Sequence, residues 1–114
     1  MAHIDVDGTS VTVRLQGLER LWAMRTKVTA DRAAVRRATT TLDLLSEVRG
    51  VRAPGLALPG RIKVGTWRSR QGKDLVVARR GQPGVVLELD GTAWRRFLIG
   101  CPDLASAERT AASF

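Results

Sequence analysis

Seven cations between residues 61 and 80 carry most of the chemistry open to this chain: Arg61, Lys63, Arg68, Arg70, Lys73, Arg79 and Arg80. Guanidinium forks grip carboxylate or phosphate in pairs, and a lysine adds a point charge, so a set of this kind is read as a surface for an anionic partner. Across the wider window from Arg49 to Arg80 there are nine cations, and Asp74 is the one acid. That window accounts for the whole net charge of +8, because the rest of the chain holds ten cations and ten acids. Arg outnumbers Lys sixteen to three. GC-rich coding gives the same bias, so a solvated basic face without a dedicated ligand is the competing reading.

Catalytic constellations are thin. His3 is the sole histidine and stands at the start of the sequence. Cys101 precedes Pro102 at an expected helix start, where a thiol pKa can fall, but with no histidine partner in sight a buried structural cysteine is expected. Asp5 and Asp7 can approach one another along a strand, which is weak evidence for a metal. The glycines of residues 50–65 come with Pro54 and Pro59, which lack backbone donors, so they do not form a phosphate-cradling loop. The expectation is therefore no enzyme, no catalytic residue, no metal and no cofactor.

Length and composition set the frame. At 114 residues, 44% of them apolar, the chain makes one globular domain. No stretch reaches the roughly 18 apolar residues of a membrane span. Met1-Ala2-His3, followed by Asp5 and Asp7, is unlike a signal peptide, so a cytoplasmic location is expected, with peripheral membrane attachment as the variant. One cysteine forms no internal disulfide.

The elements that must position the cations are mostly strands. Asp7-Gly8 separates two alternating runs, 3–6 and 10–15, and predicts a hairpin. Leu18, Leu21 and Trp22 recur at helical spacing and predict a short helix near residues 17–25. Strands are expected at 26–30 and 35–42, and one helical turn over 43–48 with Leu44 and Leu45 against the core. Pro54-Gly55 and Pro59-Gly60 suit type II turns, so 50–60 is expected as a rigid two-turn connector. After it, four runs with short glycine-containing turns predict an antiparallel meander over residues 61–99, in which a bulge at Gly65 decides whether Trp67 faces in or out. Pro102, Asp103 and the Ala-rich tail predict a helix at about 102–112.

About seven or eight strands closed by one C-terminal helix resembles the pleckstrin-homology-like (PH-like) domain. The ordered set Gly50 to Gly55, Leu58-Pro59-Gly60, Val64 to Trp67, Gly72-Lys73-Asp74, Val85 to Leu89 and Ile99 to Asp103 is similar to small bacterial PH-like proteins, over roughly residues 11–111. The resemblance implies a mainly β (α+β) fold: a strongly bent antiparallel barrel with the helix plugging one end. It also implies a non-catalytic binding or scaffolding module. Lys63, Arg68 and Arg70 reproduce the basic spacing of lipid-binding PH domains, but mid-chain and not in the first hairpin, so the lipid it implies is anionic phospholipid in general. The partner expected first is a protein or a second copy of the chain. An anionic phospholipid surface comes next. Nucleic acid comes last, because Trp67 is the one aromatic in the basic window.

Overall fold

A computed structural model describes residues 2–16, 27–58 and 61–114, with the backbone alone for 51–58. The helix expected at 17–25, Trp22 within it, and the Pro59-Gly60 turn lie outside the described residues. Among the described residues nine strands are present: β1 His3–Val6, β2 Ser10–Arg14, β3 Lys27–Asp31, β4 Val35–Thr41, β5 Val51–Leu58, β6 Ile62–Ser69, β7 Gly72–Arg79, β8 Gly84–Leu89 and β9 Trp94–Gly100. Two 3-10 helices, Arg32–Ala34 and Leu44–Glu47, interrupt them, and an α-helix, α1, spans Leu104–Ala111.

The strands form two sheets, not one closed barrel: β1-β2-β3, and a six-stranded sheet in the order β4-β8-β9-β7-β6-β5. The first hairpin forms as its Asp7-Gly8 turn requires, with Val6 opposite Val11. Asp7 closes it by accepting the backbone N–H groups of Thr9 and Ser10 at 2.8 and 2.7 Å. Alternation then puts Val11 and Val13 of β2 and Val28 and Ala30 of β3 on one buried face.

The expected meander breaks into two hairpins. β6 pairs with β7 and β8 with β9, but β9 lies between β7 and β8 and runs parallel to β7. The Gln82-Pro83 segment explains the gap: the Pro83 carbonyl accepts the Cys101 N–H at 2.9 Å, which holds the β7–β8 connection out at the end of β9. The strand left in the middle is also strongly apolar, with Phe97, Leu98 and Ile99 all buried.

Both faces of the large sheet are covered, which is why its strands read as apolar runs and not as alternating ones. On one face Val64, Leu75, Val77, Val85, Leu87, Phe97 and Ile99 pack with the three-stranded sheet and Ala107 of α1. On the other, Trp67, Val76, Ala78, Val86 and Leu98 pack beneath Leu44, with Leu45 and Val48 partly buried beside them. The helix does not plug a barrel; it leans on β4 and β8 at one margin of the sheet. Its start falls at Asp103, whose side chain accepts the Ser106 N–H at 2.7 Å.

The stretch expected as a connector is a strand instead. Residues 51–58 form β5 at the edge of the large sheet, and the register with β6 shifts between Arg52 and Gly55. Proline has no N–H to give a ladder, and an edge strand with a bulge is where a sheet accepts it. The Ala53-Pro54 pair sits within that shift, so the first Pro-Gly makes an edge irregularity and not a type II turn.

Candidate basic hairpin and cleft

The seven cations fall on β6, β7 and the segments that end them. The hairpin keeps unbroken register from Ile62 opposite Arg79 to Ser69 opposite Gly72. No bulge occurs at Gly65, and strand parity places Trp67 on the same face as Lys63. Trp67 is nonetheless only 3% exposed, because the Leu44–Glu47 helix covers that face.

The geometry divides the cations between the two ends of the hairpin. Arg68, Arg70 and Lys73 surround the tight turn, where Arg68 pairs with Lys73. Arg61, Lys63, Arg79 and Arg80 stand at the open end, where the Arg80 N–H donates to the Arg61 carbonyl at 2.7 Å. Lys63 and Arg68 are five residues apart on one strand, which separates them by roughly 17 Å and turns them to opposite faces. The Lys63, Arg68, Arg70 spacing therefore does not converge on one ligand.

Their partners differ too. The Lys73 ammonium lies 4.4 Å from the centre of the Trp94 ring, a cation–π contact that ties it to the body of the fold. Arg61, Lys63, Arg68, Arg70 and Arg80 form no ion pair among the described residues. Of the described cations elsewhere, five do: Arg14 with Asp5, Arg36 with Asp90, Arg37 with Glu88, and Arg95 and Arg96 with Asp74; Lys27, Arg32, Arg49 and Arg109 do not.

Asp74 does not oppose the basic surface, although it is the sole acid in the basic window. It is 1% exposed and faces inward. Its Oδ2 accepts from Arg95 Nη2 at 2.8 Å and from Arg96 Nε and Nη2 at 3.1 and 2.9 Å. Arg96 Nη2 also donates to the Glu47 carbonyl at 3.1 Å. One guanidinium thus fastens the 3-10 helix to β7 and β9, and this group was not visible as a site from the sequence. The signal for it was a lone acid in a basic run followed by an Arg-Arg pair on an apolar strand.

The pinned 3-10 helix makes one wall of an open cleft of about 380 Å³, lined by Asp43, Leu45, Ser46, Lys63 and Arg80. Ser46 Oγ donates to the Asp43 carbonyl at 2.8 Å, which shapes that wall. Sequence reading selected Lys63 and Arg80 but missed Asp43, Leu45 and Ser46, which come from a segment nearly twenty residues upstream. Leu42, next to Asp43, is 70% exposed.

A second cavity, of about 190 Å³, brings His3 and Cys101 to one space with Ile4, Ile99, Ser106 and Thr110. Cys101 is buried and its pKa is pushed up, chiefly by desolvation, so the thiol stays protonated and is a poor nucleophile. Asp5 and Asp7 do not converge on a cation: Asp5 pairs with Arg14 at 2.7 Å, and Asp7 closes its own turn. Among the described residues no three His, Cys, Asp or Glu side chains gather as a metal site, and no helix is long and apolar enough to cross a membrane. Comparisons with protein-family models, with curated proteins and with solved structures found no match for the chain.

Proposed function

We propose that this chain is a non-catalytic binding or scaffolding module that recognises an acidic partner through the cations of the β6–β7 hairpin. One observation carries the reading: Arg61, Lys63, Arg68, Arg70 and Arg80 have no acid within ion-pair distance among the described residues, while the arginines of β2, β4 and β9 do. Unpaired charge on a rigid two-stranded frame is preorganised for an anionic surface, and it steers encounter over distances set by salt. The acid that would have neutralised it is buried against Arg95 and Arg96.

A protein partner, or the acidic part of a second copy, suits this surface better than nucleic acid. Single-strand binding relies on exposed aromatics among the cations; here Trp67 is buried and Trp94 is covered by Lys73. Kinship with PH-like domains belongs to the same reading. Two sheets and a C-terminal helix support it, and the parallel β7–β9 pair departs from it.

The test is binding to poly-glutamate across a salt series. The parent should bind at low salt and release as salt rises. A variant with Arg61, Lys63, Arg68, Arg70 and Arg80 all changed to Gln should lose about tenfold or more in affinity at low salt. Equal binding by parent and variant would refute the proposal.

A further inference from the structure

The two ends of the hairpin are not equivalent, and the difference names a more specific partner. At the turn end the cations flank the tight turn between Ser69 and Gly72. At the open end Lys63 and Arg80 line a concave space together with Leu45 and Asp43, and the exposed Leu42 directly precedes Asp43 in the chain. Leu42 is the one large hydrophobic side chain left exposed among the described residues. Apolar and cationic groups are thus adjacent here, and Arg61 adjoins Arg80 through a backbone hydrogen bond.

We infer that the cleft between the Leu44–Glu47 helix and the open end of the β6–β7 hairpin docks a short acidic protein segment bearing an apolar side chain. Its carboxylates would lie on Lys63 and Arg80, and its apolar side chain on Leu42 and Leu45. This rests on the reading of the chain as an acidic-partner module and localises it. Charge complementarity favours a protein segment over an anionic bilayer. The Asp43 carboxylate on the cleft wall repels a uniformly anionic sheet, whereas a peptide can present a backbone N–H or hydroxyl to it. Concavity favours the same choice, since a side chain enters a cleft that a flat membrane surface bridges. The Arg96 contact to Glu47 keeps the wall in place before the partner arrives, which lowers the ordering cost of binding.

The experiment measures fluorescence anisotropy with two labelled, acetylated probes, Glu-Glu-Leu-Glu-Leu-Glu-Glu and an all-Glu peptide of equal length. The expected result is that the leucine probe binds about fivefold tighter than the all-Glu probe, and that Leu42→Ser removes this preference. The Lys63→Glu, Arg80→Glu pair should cost about tenfold, and Arg68→Glu with Arg70→Glu nearly nothing. Because Lys63 is half-buried, a Lys63→Gln, Arg80→Gln variant with the parent's circular dichroism and melting temperature must show the same loss. Equal losses at both hairpin ends would overturn the cleft while leaving the acidic-partner reading intact. No binding of either peptide or of poly-glutamate would overturn both. Retention on phosphatidylglycerol vesicles that depends on Leu42, Lys63 and Arg80, without peptide binding, would replace the protein segment by a membrane.

Discussion

Arg96 and Asp74 lie opposite one another on parallel strands, 2.9 Å apart from Nη2 to Oδ2, and both are buried. The pair holds together what the fold would otherwise leave separate. β7 and β9 are joined across their parallel seam, and the Glu47 carbonyl is drawn onto the same guanidinium. Removing the carboxylate leaves a buried Arg96 and a half-buried Arg95 with no counter-charge. Asp74→Asn should therefore destabilise the protein by about 3–5 kcal/mol in urea unfolding, because an uncompensated buried charge costs far more than an exposed ion pair gains. Arg36→Ala, at the exposed pair with Asp90, should cost about 1 kcal/mol or less in the same measurement.

Acid should loosen the first hairpin late. The N–H groups of Thr9 and then Ser10 hold the Asp7 carboxyl down to a pKa of about 2. A carboxyl depressed in the folded state contributes stability that is complete above its unfolded pKa, about 3.9, and is lost as pH falls through the folded value. The contribution should fade between about pH 4 and pH 2. Carbon-13 titration of the Asp7 carboxyl should give its midpoint near the lower limit, and Asp7→Asn should flatten stability across that window. Asp103, depressed by the Ser106 N–H at the start of α1, should add to the same acid-side loss.

Gly84 fixes how the 3-10 helix meets the sheet. A Cβ there would stand 2.5 Å from the Ile99 carbonyl oxygen and 2.7 Å from a Leu44 methyl. Gly84→Ala must move backbone or push Leu44 out, and overpacking of this kind costs about 1–3 kcal/mol. Because Leu44 anchors the cleft wall, the variant should also weaken binding of the leucine probe, whereas Gly8→Ala, with open space around it, should not.

Local chemistry was legible in the sequence where one segment decides it. The Asp7-Gly8 hairpin, the turn at 43–48, the apolar strands at 75–78 and 85–89, and the Asp103 helix start all follow from side chains a few residues apart. Strand order was not legible, because β9 reaches its place beside β7 through contacts between Pro83 and Cys101 and between Asp74 and Arg96. Trp67 was ambiguous for a related reason. Its parity was right, but burial depended on the Leu44–Glu47 helix crossing that face. The Pro-Gly stretch misled because proline reads as a turn residue, and only the sheet order reveals an edge strand that tolerates it. The seven cations were found by counting, but counting does not divide them between two ends of a hairpin or bring Asp43, Leu45 and Ser46 to Lys63.

The most direct measurement is a backbone amide chemical-shift map during titration with poly-glutamate at low salt. The largest shifts should fall on Arg61 to Lys63, Arg79 to Gln82 and Asp43 to Ser46, with smaller ones around Arg68 to Gln71, all collapsing as salt rises. Shifts confined to other surfaces, or none at low salt, would contradict an acidic-partner module built on this hairpin.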